Sequence, residues 1–266
     1  SELIIRSAQA GKHLWIDKFL GATMQECEDA ARAIEEYGVQ SIVPGYTYGE
    51  LVQRSIAIIS SGALGSLMGV HADIMFGKGS PKPFSDREIQ RPFLPSGAWK
   101  FPDIKRELLT VGAYAVALVQ ECLGPISEVW GQADAYFFPE HARHGAEDFG
   151  TLSMTDDAGR IATISAGRTG VASHNAGGLN RAYLAGTRAS AQVDATRPSM
   201  DVFIRSEIVN AEYSVPDQDP MQWATRAPSQ RIPVTGDPLA NGLDDLIDAL
   251  DSGRSPRYTA QSAVKH

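Results

Sequence analysis

The strongest constraint on this chain is a change of grain partway along it. Residues 1–12 (SELIIRSAQAGK) read as a helix stopped at Gly11, where a left-handed cap suits glycine. HLWID, residues 13–17, is an apolar run of strand length. Residues 23–37 open with Thr23 as N-cap and Glu26 three residues on, a capping box. Ala30, Ala31, Ile34 and Tyr37 give that helix an apolar stripe, and Gly38 ends it. VQSIV, residues 39–43, is a second short strand. Helix, strand, helix and strand joined by short loops is the signature of parallel β/α winding.

After Gly45 the pattern changes. A helix over residues 49–60 is closed by SGALG, and residues 66–76 alternate as a strand does. Residues 77–103 are rich in Pro, Gly and Ser and read as one long irregular loop. An apolar helix over 105–123 ends at Gly124, and strand candidates follow at 126–137, 148–156, 160–167 and 181–195. Asp157-Ala158-Gly159 is a turn between the second and third. Residues 196–236 read mostly as loop, and 238–251 as a short amphipathic helix. The expected fold class is therefore α/β, a partial parallel winding over residues 1–45, plus an α+β domain over residues 46–266. The second would hold a large, mostly antiparallel sheet with helices on one face and the other face open.

Composition narrows the function classes. With 24 Lys+Arg against 32 Asp+Glu the net charge is -8, which argues against a nucleic-acid surface. The sequence holds no apolar run long enough to span a membrane, and no signal peptide is read at Ser1. The cytoplasm is the expected compartment. Two cysteines, Cys27 and Cys122, make no disulfide framework and read as reduced thiols.

Four segments in order carry a resemblance. AGKHLWIDKF (10–19) places Asp17-Lys18-Phe19 after the first strand, and SGALGSL (61–67) precedes the sheet region. LLTVGAYAVALVQECLG (108–124) is the long helix, and GLDDLIDALDSGRSP (242–256) is an acidic helix followed by Gly and Pro. Together they resemble the Gfo/Idh/MocA family of NAD(P)-dependent oxidoreductases over nearly the whole chain. The resemblance implies a Rossmann-type piece leading into a substrate and dimerisation domain. It implies an NAD or NADP cofactor, a sugar-like or polyol substrate, and a homodimer or homotetramer formed through the sheet face. No G-x-G-x-x-G turn occurs in these residues, so the chain reads as a fragment that binds dinucleotide poorly by itself.

The same resemblance nominates site residues. Lys18 matches the family lysine at the end of a parallel strand, where open α/β sheets bind ligands, and would touch both substrate and cofactor. Phe19 stands where the family has proline, which removes the usual local reason for a cis peptide. Tyr114 falls at the catalytic histidine's place, and a phenol near a lysine would exchange protons as the cation favours phenolate. Thr110 and Ala117 replace the family motif's two aspartates. Tyr46 is expected at the nicotinamide pocket with Tyr48 beside it, and Trp99 and Lys100 at the substrate wall.

The polar stretch EHARHGAED (140–148) supplies His141 and His144 as substrate-binding candidates, with Glu147 and Asp148 beside them. Its H-x-x-H-x-x-E spacing is a weak metal signal, because the third group rotates off a helix face, and no metal is expected. Arg168 and His174, in AGRTGVASHNAGG (166–178), are the remaining substrate candidates, with a structural pairing of Arg168 to Glu147 or Asp148 as the alternative. At the level of the whole chain the rival expectation is a non-catalytic oligomerising or ligand-binding sheet domain that keeps a vestigial site.

Overall fold

The computed structural model describes residues 1–43, 47, 49–77, 106–169, 179–196, 199–204, 229–233 and 238–266. The N-terminal grain forms as read. Helix α1 (Glu2–Gln9) leads into strand β1 (Leu14–Trp15), helix α2 (Met24–Glu36) and strand β2 (Ser41–Ile42), and β1 and β2 pair in parallel. At the start of α2 the Thr23 hydroxyl accepts from the Glu26 N–H at 3.2 Å. The Glu26 carboxylate reaches one residue further back than the standard box and accepts from the Ala22 N–H at 2.9 Å. Ala8, Ile16, Leu20, Ala30, Ala31, Ile34, Val39 and Val43 form the small core of this unit.

The last helix, α7 (Ala260–Lys265), returns to that unit. Ala260 is fully buried in the same cluster, its N–H bonds the Ser41 hydroxyl at 3.1 Å, and Val43 donates to the Tyr258 carbonyl at 3.0 Å. The acidic helix before it, α6 (Pro238–Ser252), contacts β2. The first unit thus closes with residues far along the chain.

Between these ends lies the large sheet. Helix α3 (Glu50–Ser60) and strand β3 (Leu67–Gly77) are followed by helix α4 (Glu107–Leu123), strand β4 (Glu128–Asp134) and the short helix α5 (Pro139–Arg143). Strands β5 (Phe149–Thr155), β6 (Ile161–Thr169), β7 (Leu179–Gly186), β8 (Ala189–Asp194), β9 (Ser199–Ile204) and β10 (Ser229–Pro233) complete it. The order across the eight strands is β10-β9-β8-β7-β3-β6-β5-β4. Only the central β3–β6 pair is parallel, so the sheet is mostly antiparallel, as expected.

The pleat sorts the faces by residue type. One register row runs Met154, Ala162, Val70, Leu184, Ala191 and Val202, all buried beneath α3 and α4. The neighbouring row, Ser153, Thr163, His71, Tyr183 and Gln192, lies on the opposite, open face, where Tyr183 is 42% exposed.

Three local expectations change. The strand expected over 181–195 is a hairpin, β7 and β8, because Thr187 and Arg188 turn back onto the α3–β3 connection through bonds to the Ser66 and Leu64 carbonyls. Residues 196–236, expected as loop, contribute β9 and β10, since extending the sheet satisfies backbone groups that weak local periodicity does not reveal. The Lys18–Phe19 peptide is cis although residue 19 is not proline, so the local preference removed by Phe19 does not decide the geometry there.

Candidate functional site

Lys18, after β1, and Arg168, near the end of β6, both reach the first turn of α4. Lys18, just past β1, crosses from the first unit to the second, and its Nζ donates to the Thr110 carbonyl at 2.6 Å. The same ammonium lies 4.0 Å from the centroid of the Tyr114 ring. Sequence reasoning had named both residues, and the fold brings them into contact across the junction. Glu107, Thr110 and Tyr114 stand at i, i+3 and i+7, so they share one face of α4. On its other side the Tyr114 ring meets Phe76, near the end of β3, edge to face at 6.5 Å.

Arg168 completes this cluster from β6, in register with Phe76. Its Nε donates to Glu107 Oε2 at 3.0 Å, and Glu107 is only 2% exposed. The structural pairing considered from sequence was with Glu147 or Asp148, and the partner is instead Glu107. The distinction is topological: Glu147 is occupied by Arg106 at 2.7 Å, and Asp148 points its carboxylate the other way. Arg168 joins that stretch through its backbone, its N–H donating to the Asp148 carbonyl at 2.7 Å.

The Tyr114 phenol is held above its ordinary pKa. Burial is the main cause, the Asp17 carboxylate adds to it, and the Arg168 guanidinium opposes it. This corrects the expectation that lysine would promote phenolate. Lys18 sits over the ring face, and loss of water around the phenol outweighs the Arg168 guanidinium. The Tyr114 phenol therefore keeps its proton to higher pH than an ordinary tyrosine.

The 140–148 stretch places its two histidines differently. His141 is fully buried, its ring 5.5 Å from that of Phe138. His144 lies exposed at the end of α5. Asp148, also fully buried, accepts from the N–H groups of Tyr136, Phe137 and Phe138 at 2.8–2.9 Å. A stretch that reads as a polar loop is a folded corner, because one carboxylate satisfies three turn amides. Among the described residues no three His, Cys, Asp or Glu side chains come together in a way that could hold a metal ion. Tyr46, Tyr48, Trp99, Lys100 and His174 lie outside the described residues.

Glu107 and Asp17 were not singled out from sequence. The i, i+3, i+7 spacing to Tyr114 is the signal that could have found Glu107. Nothing local marks Asp17 as a neighbour of residue 114.

This architecture is that of solved oxidoreductases. One is an oxidoreductase from Agrobacterium radiobacter in complex with NAD+, L-tartaric acid and magnesium, with TM-score 0.72 at 11% identity over 99% of this chain and 70% of that one. Another is aldose-aldose oxidoreductase from Caulobacter crescentus with glycerol, with TM-score 0.72 at 18% identity over 99% of this chain and 69% of that one. A third is the WlbA dehydrogenase from Bordetella pertussis with NADH and UDP-GlcNAcA, with TM-score 0.65 at 16% identity over 99% of this chain and 68% of that one. At these identities the likeness establishes the shared fold. The family model of the GFO/IDH/MocA C-terminal domain matches residues 52–192, more than half of the chain. The chain belongs to the GFO/IDH/MocA family of oxidoreductases. Curated proteins include no significant match to it. Among the described residues no helix is long and apolar enough to cross a membrane.

Proposed function

We propose that this chain carries the substrate side of an NAD(P)-dependent dehydrogenase or reductase acting on a hydroxylated, carbohydrate-like compound. The observation that carries this reading is the Lys18 ammonium, bonded to the Thr110 carbonyl and seated 4.0 Å from the Tyr114 ring centroid. A neutral phenol beside a fixed cation is suited to a substrate oxygen that alternates between hydroxyl and carbonyl. Tyr114 would give its proton to that oxygen as the carbonyl is reduced, and take it back in the oxidising direction. Lys18 would hold the oxygen in place and stabilise the charge that develops on it. Support for a sugar-like substrate comes from the family and from the glycerol and UDP-GlcNAcA named with the solved neighbours.

The residues of this chain fit the proton end of such a reaction and not the phosphates of a dinucleotide. They contain no G-x-G-x-x-G turn, and among the described residues the parallel sheet of the first unit has two strands. We further propose that residues 1–45, completed by Ala260–Lys265, form the cofactor-side unit, with the sheet domain between them.

The test is a steady-state assay of the protein in its full natural length with NAD and NADP against a panel of sugars and polyols. Tyr114→Phe and Lys18→Met should each lower kcat/KM by about 10²–10³-fold. A full-length protein inactive with both cofactors on the whole panel would leave the non-catalytic sheet domain as the better description.

A further inference from the structure

Among the described residues, four charged side chains are tied to Tyr114 directly or through one another. Asp17 and Lys18 come from the end of β1, Arg168 from β6, and Glu107 from the first turn of α4 itself. Glu107 differs from the others in being sealed off: it is 2% exposed, while the Arg168 side chain is 20% exposed. A buried carboxylate needs a partner, and here the Arg168 guanidinium is fixed against it at 3.0 Å. A second contact, from Arg168 Nη1 to the Gly77 carbonyl at 3.5 Å, turns the guanidinium along the ends of β3 and β6. The helix N-terminus would by itself favour an anion, but Glu107 already occupies its first turn.

We infer that Glu107 is a positioning residue that fixes Arg168 beside Tyr114 and cancels its charge, so that the site accepts uncharged hydroxyl compounds in preference to carboxylates. This rests on the substrate reading above. An arginine with no partner would be a fork for a substrate carboxylate. With Glu107 against its Nε, the guanidinium is engaged before any ligand arrives. Among the described residues, Asp17 offsets Lys18 in formal charge and Glu107 offsets Arg168. The discrimination is set by a side chain that the substrate does not touch.

The experiment follows the Tyr114 ring in protein with isotope-labelled tyrosine, its signal assigned by loss in Tyr114→Phe. In Glu107→Gln the shape is kept and the charge removed, so Arg168 acts on the phenol uncompensated. The Tyr114 titration should move down by about one pH unit. It should move up in Arg168→Gln and return near the starting position in the double variant. Glycerol and glycerate, which differ by one carboxylate, are then titrated in. Glycerate should gain about tenfold over glycerol in Glu107→Gln relative to the unaltered chain. A residue that merely braces the fold would lower the melting temperature and leave both readouts in place, and that result would overturn the inference. If Glu107→Gln does not fold, Arg168→Gln carries the same test with the sign reversed, and an unmoved titration there is equally fatal. A shifted titration with neither ligand perturbing Tyr114 would overturn the substrate reading while upholding Glu107 as the group that positions Arg168.

Discussion

Tyr114 shows how a few neighbours set the state of one residue. Burial and the Asp17 carboxylate hold its proton on, while Arg168 pulls the other way and does not win. Cys122 is a second case, without chemistry attached. Burial first, and the Glu121 carboxylate second, push its thiol from 9.0 up to about 12. Below pH 9 the thiol is protonated in folded and unfolded chains alike, so it contributes no pH dependence. Above that the unfolded chain gives up the proton and the folded chain keeps it, so stability falls as pH rises from 9 to about 12. Cys122→Ala should therefore lose stability less steeply over that range, measured as urea midpoint against pH. An unchanged slope would show that the fold does not withhold ionisation of this thiol.

Among the elements, the end of β6 matters most to the site. Gly167 precedes Arg168 with φ 145°, and a side chain there would collide with the Asp148 carbonyl oxygen and the Phe149 backbone. The close approach lets the Arg168 N–H reach the Asp148 carbonyl, which aims the side chain at Glu107. Gly167→Ala should cost roughly 2 kcal/mol or more, read by denaturant unfolding. In an assay of the proposed activity it should also reduce kcat/KM. Full stability in that variant would mean the strand end relaxes freely and does not aim Arg168. The neighbouring 140–148 stretch shows why local reading has limits here. Its histidines and carboxylates look like loop chemistry, yet Asp148 folds back on the amides of residues 136–138 and His141 is buried against Phe138. A one-dimensional pattern cannot distinguish a carboxylate that caps a buried turn from one that faces a ligand.

For the whole molecule, the uneven faces of the sheet carry the consequence. Helices cover one side, and the other presents Thr163, His71, Tyr183 and Gln192 in one row, with Asp73 bridged to Arg181 at 2.9 Å in the next. We propose that a second copy of the chain covers this face, giving a homodimer or a homotetramer. Tyr183→Glu should then lower the mass measured by light scattering, and an unaltered chain that is monomeric at all concentrations would end the proposal.

Much of this architecture was legible in the residues. Apolar period and capping chemistry act within a few residues of themselves, so the Thr23 cap, the α4 stripe, the alternation of β3 and the turn at Gly159 could be read directly. Family motifs likewise named Lys18 and Tyr114. Tertiary structure alone decided the rest. It paired Arg168 with Glu107, carried the C-terminal helix back to the first unit, extended the sheet through β9 and β10, and raised the phenol's pKa. Each of these depends on groups separated by tens to hundreds of residues. Their energies come from desolvation and from charges meeting in space, which no local pattern encodes.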